Sequence, residues 1–516
     1  MTTGPDVELD DLEAEASPEA ALPSDVFGLP RAEVRRRSLA GVVYLSASSF
    51  ASLVIGFLAS LVLARMLTPS DFGMVAIGST ATLIGGALAD GGLGAGMVRR
   101  REPPTRTELR TLNGIQLALA LAFCIPAAAI ALGFGQTGAV TAIMLCSLPI
   151  TMLQTPGRIV LYRDMKYDRQ LVIDFGAQAT YQVFCVVSVA LGAGVWGLAT
   201  GSIVRAVVGT VLTAMLGIGL GVPSLRGWRK YGSLVRFGLK FQASWFTWVA
   251  REQGINIVVG TVAGIASLGV WTFTNRIFQL ASIAFGSLFT VGFPAMSNLL
   301  ARGEDPAPVI ARTVRRSAIA ATFVFPPFAA ACPELIPGLF GEQWRTSADI
   351  VPFICLSTLI LGSIAVASTS YLSAAGRPGA VAWASAAFGV IWIAVTAVLL
   401  PSVGVTAIGI GNLCGALAES AVLDVLTQRA VGIAPHRPLL KPLAVAVVGG
   451  TLGWLLCTSG PSGLLIAFAS AALTLTISAF GLWLLCRRDL HDAVDLVGGA
   501  FRSVLPRLPG ASAGRA

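Results

Sequence analysis

The sequence predicts an all-α polytopic membrane protein of fourteen transmembrane helices, two six-helix lobes followed by two C-terminal helices, with both termini cytoplasmic. Three observations carry this prediction. Hydrophobic residues make up 55% of the chain and charged residues only 12%, too few to cover a soluble domain with polar surface. Fourteen apolar stretches, most of them about 20 residues or longer, suffice to cross roughly 30 Å of hydrocarbon. Alternating them from a cytoplasmic N-terminus places 31 of the 36 Lys and Arg on the inner side, leaves Arg65 and Arg345 outside, and keeps Arg205, Arg251 and Arg276 within spans. That asymmetry is the positive-inside pattern, and a miscount by one span would scramble it.

In chain order, residues 1–38 read as an acidic cytoplasmic tail with a basic flank. Residues 1–30 hold eight acids and no Lys or Arg, and Arg31, Arg35, Arg36 and Arg37 follow. The segment has no apolar core, so it reads as a disordered tail rather than a signal peptide. Spans at 39–64, 72–98, 111–133, 137–157, 170–192 and 194–218 form the N-terminal lobe, 39–218. A basic cytoplasmic linker, 219–236, leads to the C-terminal lobe, 237–430, with spans at 237–263, 268–297, 317–340, 350–375, 379–400 and 406–428. The region 431–486 adds spans at 441–458 and 462–486. In the tail, 487–516, Leu490, Val494, Val497, Phe501 and Leu505 recur at helical steps. This predicts an amphipathic segment on the inner leaflet, with Arg487, Arg488 and Arg502 near lipid phosphates, although Gly498, Gly499 and Pro506 weaken it.

The two lobes carry weak signs of duplication. DFGMVAIGS from Asp71 aligns with SLGVWTFTN from Ser267, pairing Gly73 with Gly269. GVWGLATG at 194–201 aligns with GVTAIGIG at 404–411. An even number of spans per lobe keeps both lobes in one orientation, related by an axis along the membrane normal.

Charged groups inside spans are the candidate site residues, because each costs a few kcal/mol if lipid sees it. Lys240, Ser244, Thr247 and Arg251 recur at steps of four, three and four, one helical face, which Glu252 and Asn256 widen. Arg276, beside Asn275, lies in the next span. At 1.5 Å per residue, Arg205, Arg251 and Arg276 sit roughly 16, 18 and 12 Å below the outer surface. A guanidinium stays charged and matches phosphate oxygens as a bidentate fork, so Arg251 and Arg276 are expected to line a wet cavity for something anionic. The competing expectation is an interhelix ion pair, for instance Arg276 with Glu252. Arg205 has no accompanying polar stripe, which favours packing.

Glu419 is a candidate titratable or ion-paired carboxylate in mid-span, and Asp424 lies a turn and a half further in. Asp90 and Asp174, near inner span ends, are read first as capping or hydrated groups, and Asp71 as a helix start. The eight cysteines are scattered and show no metal-binding spacing. Both histidines, His436 and His491, fall at the inner surface. No catalytic residue, metal, cofactor or nucleic-acid partner is expected.

Several stretches, in order along most of the chain, carry a resemblance. They are LARMLTPSDFGMVAI at 63–77, LADGGLGAGMVRR at 88–100, RDMKYDR at 163–169 and GTVAGIASLGVWTFTNRIFQL at 260–280. VGFPAMSNL at 291–299, GEQWRTSADIVPF at 341–353 and YLSAAGRPG at 371–379 complete the set. Together they resemble the polysaccharide-transporter branch of the MOP exporter superfamily, the oligosaccharide flippases. That resemblance implies two lobes around a central cavity. It also implies translocation of an undecaprenyl-diphosphate-linked oligosaccharide across the cytoplasmic membrane by alternating access. Membrane lipids and a polysaccharide polymerase or export machine would be partners. The alternatives are a cation-coupled small-molecule exporter of the same superfamily and a non-transporting part of an export machine. An acidic drug-binding cavity fits poorly with three buried arginines, and outward loops of about ten residues leave little room for an enzyme's catalytic groups.

Overall fold

Proline and glycine punctuate the helices of this chain, and the carbonyls that proline leaves without an intrahelical donor explain much of the packing. The computed structural model describes residues 31–94, 104–216, 223–226, 249 and 251–504, except for the side chains of 280–295, 488–504 and most of 31–47. Among these residues, regular structure is helical. The helices are α1 (Arg31–Met66), α2 (Pro69–Asp90), α3 (Arg106–Leu132), α4 (Gly135–Leu145), α5 (Ser147–Met152), α6 (Thr155–Arg163), α7 (Tyr167–Ala190) and α8 (Val195–Leu216). After a helical stretch at 251–262 come α9 (Gly264–Ala301), α10 (Ala307–Phe340), a 3-10 turn (Glu342–Asp349), α11 (Val351–Ala374), α12 (Pro378–Val403), α13 (Thr406–Val431), α14 (His436–Ser459) and α15 (Leu464–Val504).

Twelve spans long and apolar enough to cross a membrane lie among the described residues. Of the two other predicted spans, 237–263 falls partly outside the described residues, and 268–297 lies within α9, which runs unbroken for 38 residues but whose side chains at 280–295 are outside them. The chain forms two compact units. One comprises Met1–Gly56, Thr82–Cys185 and Thr200–Ala243; the other comprises Phe57–Ala81, Val186–Ala199 and Ser244–Ala516.

In the first unit, the span predicted at 137–157 is three short helices, α4 to α6, instead of one. Pro149 and Pro156 supply no amide hydrogen to Leu145 and Met152, four residues back. Those carbonyls are taken by side chains of α3: Cys124 Sγ donates to Leu145 O (3.4 Å) and Asn113 Nδ2 to Met152 O (2.7 Å). The breaks thereby become docking points. α3 opens on a full capping box, Thr105 with Glu108, in which the two residues satisfy each other's backbone amides.

In the second unit, α10 carries four prolines in its interior. The Ala329 carbonyl freed by Pro333 accepts Cys332 Sγ, and the Pro333 carbonyl freed by Pro337 accepts Arg345 Nη1. The start of α2 matches the reading of Asp71. Its carboxylate accepts from the backbone and hydroxyl of Thr68, each at 2.8 Å, and the Thr68 hydroxyl accepts from the Asp71 amide. α15 carries a break at Cys486 (φ −135°, ψ 32°), where the predicted polar tail begins. The helix continues beyond it to Val504, while the tail side chains, Arg488 and Arg502 among them, lie outside the described ones.

Both duplicated pairs recur as geometry. Gly194 (φ 53°) and Gly404 (φ 62°) occupy the left-handed region, where a side chain is strained. Each carbonyl accepts from the amide three residues on, Gly197 at 3.1 Å and Ala407 at 3.0 Å. Gly73 and Gly269 cross each other. A methyl group on Gly73 would fall 1.9 Å from Ile265 O, and one on Gly269 would fall 1.7 Å from Pro69 O. Each glycine thus meets the carbonyl four residues before the other, the mutual contact of a local two-fold.

Candidate functional site

The 251–262 helix places a charged group where apolar neighbours surround it. Arg251 donates from Nη2 (2.8 Å) and Nε (3.1 Å) to Glu252 Oε1, and from Nη1 to Ser385 Oγ on α12 (2.8 Å). Its guanidinium carbon stands 5.1 Å from the centre of the Phe388 ring, within cation–π range. Gly389 makes this approach possible, because a methyl group there would lie 2.8 Å from Arg251 Cγ. Glu419 of α13 is buried within electrostatic reach of the same guanidinium. Arg251 therefore links the 251–262 helix to α12 through Ser385 and interacts electrostatically with Glu419 of α13. Of the five N–H donors on a guanidinium, three are in use in these bonds.

One turn on, the stripe continues as a hydrogen-bonded chain. Thr80 donates to Gln253 Oε1 (2.7 Å), Asn256 Nδ2 donates to the same oxygen (2.8 Å), and Trp271 Nε1 donates to Asn256 Oδ1 (3.0 Å). Trp271 packs edge-on against Trp392 of α12. Polar partners thus hold these helices together where apolar packing alone leaves register free.

The other sequence-selected residues separate. Arg276 and Asn275 are half-buried on α9, and Arg276 is engaged in a contact of its own. Glu252 pairs with the neighbouring Arg251. Arg205 is exposed on α8. Lys240, Ser244 and Thr247 lie outside the described residues. Asp174, read first as a cap, instead pairs with Arg158 Nη2 at 2.9 Å and accepts from Gln170. Burial first, and then the Asp174 charge, push the nearby Tyr162 phenol above its ordinary pKa.

Asp90 accepts from the Gly92 amide and from Gln116 Nε2, closing the end of α2. Asp424 caps α14: one oxygen accepts from the His436 amide and the other meets His436 Nδ1, both at 2.8 Å.

A second constellation, not singled out by charge, joins 57–81 to α9, α10 and the 3-10 turn. Arg65 Nε and Nη2 donate to Leu339 O (2.9 Å) and Gly338 O (3.0 Å), the last carbonyls of α10. In return, Gln343 Nε2 (2.7 Å) and Trp344 Nε1 (2.8 Å) donate to Ala64 O, among the last carbonyls of α1. Two helix C-termini cap each other, each supplying donors to the other's unpaired carbonyls. Trp344 is fully buried, stacks on Phe273 at 3.9 Å and meets Phe72 edge-on at 5.0 Å. Gly73 and Gly269 cross in the same region. The signal was present in LARMLTPSDFG and GEQWRTSADIVPF, but their pairing is invisible until the chain folds.

A family model for "Polysaccharide biosynthesis protein" matches residues 62–349, the part of the chain that contains this seam and Arg251. The succinoglycan biosynthesis transport protein ExoT of Rhizobium meliloti (strain 1021) is 22% identical over 374 residues, 70% of this chain and 72% of that protein. Among solved structures, the lipid II flippase MurJ in an inward closed conformation superposes with a TM-score of 0.66 at 11% identity, covering 86% of this chain and 99% of that one. An inward-facing multidrug resistance MATE family transporter of the MOP superfamily gives 0.55 at 16% identity, over 76% and 98%. At such identities the two solved structures establish the fold.

Proposed function

The chain belongs to the polysaccharide biosynthesis protein family, and from that premise we propose that it is a flippase for a polyprenyl-diphosphate-linked oligosaccharide. The observation that carries this reading is the family match over 62–349. The succinoglycan transport protein and the lipid II flippase add support, as a curated relative and as a fold neighbour. The function is transport rather than catalysis, with the cytoplasmic membrane as its site.

The head group enters a cavity open to the cytoplasm, the lobes rock about it, and the lipid tail stays in the bilayer. Arg251 acts as an exchangeable cation: in the resting protein Glu252 holds it, and a diphosphate takes that place during transport. The capped seam around Arg65, Trp344, Gly73 and Gly269 serves as the closed outer gate. A polymerase or export partner takes the carrier-linked sugar outside, and the acidic N-terminal tail is a contact for such machinery.

Deleting the gene and labelling surface-exposed lipid-linked oligosaccharide tests the function. The outer-leaflet pool should fall while the inner pool rises, and restoring the gene should reverse both. An unchanged outer pool in the deletion strain would reject the flippase.

A further inference from the structure

A cavity of about 370 Å3 includes Arg315 of α10, the turn at Gly432, Arg437 and Lys441 of α14, and Cys486 at the break in α15. This volume lies within the range of small-molecule sites. The lining holds three cations and, among the described residues, no carboxylate. Arg437 and Lys441 are one turn apart, so they share a helical face and repel each other. Both sit in the first two turns of α14, the end of a helix that favours anions. The nearest carboxylate on the neighbouring helix, Asp424, is already committed to the amide and ring of His436. α14 therefore opens with Asp424 on its first amide and with two cations, Arg437 and Lys441, that the cavity lining pairs with no described carboxylate.

The position of the cavity points to the anion that suits these cations. α14 enters its candidate span at His436, α13 leaves one at Val431, and the last span ends at Arg487. The cavity thus lies beside the ends of three candidate spans, on the side that the Lys and Arg count assigns to the cytoplasm. α15 breaks there, at Cys486, and Arg487 folds back over the Trp483 ring at 5.5 Å. Ile433, Pro438 and Leu485 add apolar wall beside the cations, which suits a ligand with a charged end and an oily one.

We propose that this cavity binds the phosphodiester head group of an anionic phospholipid of the inner leaflet, with Arg437 and Lys441 on the phosphate oxygens and Arg315 beside them. Basic pockets between helix ends at the cytoplasmic surface recognise such head groups by charge. Free phosphate shares the chemistry but not the need for an apolar wall. The site is independent of the transported substrate.

The test is native mass spectrometry of the full-length, delipidated protein offered phosphatidylglycerol against phosphatidylcholine. The wild type should prefer phosphatidylglycerol by about tenfold or more. The variant carrying Arg437→Gln and Lys441→Gln should lose that preference, the Lys441→Arg variant should keep it, and Arg302→Gln, another arginine on the same side, should leave it unchanged. If the double variant does not purify as a single species, Arg437→Gln and Lys441→Gln are measured singly, each with a several-fold loss. Phosphatidylglycerol held as tightly by the glutamine variants as by the wild type overturns the site. Displacement of the lipid by millimolar inorganic phosphate overturns the lipid assignment in favour of a free anion.

Discussion

Single residues in this chain bind across long sequence distances, and that is where reading the sequence stops. Arg251 was legible as a charge too costly to face lipid. Its partner Ser385, 134 positions away, and the gap left by Gly389 were not, because neither residue type stands out in a membrane span. Removing one partner of a half-buried ion pair strands the other, whereas replacing both is often tolerated. Arg251→Ala should therefore lower the thermal midpoint in detergent more than Arg251→Met combined with Glu252→Gln does. If Arg251 also handles the substrate, both variants should lose outward delivery of lipid-linked oligosaccharide. A double variant that is stable and fully active would remove Arg251 from transport. At Trp344 the indole N–H satisfies the Ala64 carbonyl, and Trp344→Phe keeps the ring packing but leaves that site with Gln343 alone. A loss of about 1 kcal/mol, read as a lower midpoint, is the expected outcome.

Helix ends and breaks carry the structural information at the next scale up. Proline positions could be read directly, yet the sequence pointed to one continuous span at 137–157, since an apolar run shows where a chain can cross and not how often it interrupts. The side chains that occupy the freed carbonyls, Asn113 and Cys124, come from another helix, so only the fold reveals them. Asn113→Ala leaves the Met152 carbonyl without this donor and should destabilise by about 1–3 kcal/mol, measured by thermal melting. Asp424 was legible only as a carboxylate a turn and a half beyond Glu419, and in the structure it binds α14 to α13 through His436. Asp424→Ala should cost about 1–2 kcal/mol as a lost cap and, by loosening α14, increase proteolysis near Gly432.

For the whole molecule, the membrane class was legible because it rests on composition summed over many residues. The grouping of 57–81 with the second half was not. It depends on a seam of backbone carbonyls, one arginine, one glutamine and one buried indole, none of which alters hydropathy. If this seam is the outer gate, Arg65→Ala should raise labelling of cysteines introduced on its inner face and shift the transport cycle toward outward opening. Unchanged labelling would make the seam a permanent joint.

The crossing of Gly73 and Gly269 sharpens that distinction. Main chain lies directly on main chain there, with the Ile265 side chain beside it, and the crossing is intolerant of a side chain at either glycine. Gly73→Ala forces a methyl group into a carbonyl and should hold the two strands of the crossing apart by steric wedge, whichever half of the chain carries the substitution. The two glycines of the crossing thus behave as one joint, and a side chain at either position obstructs both.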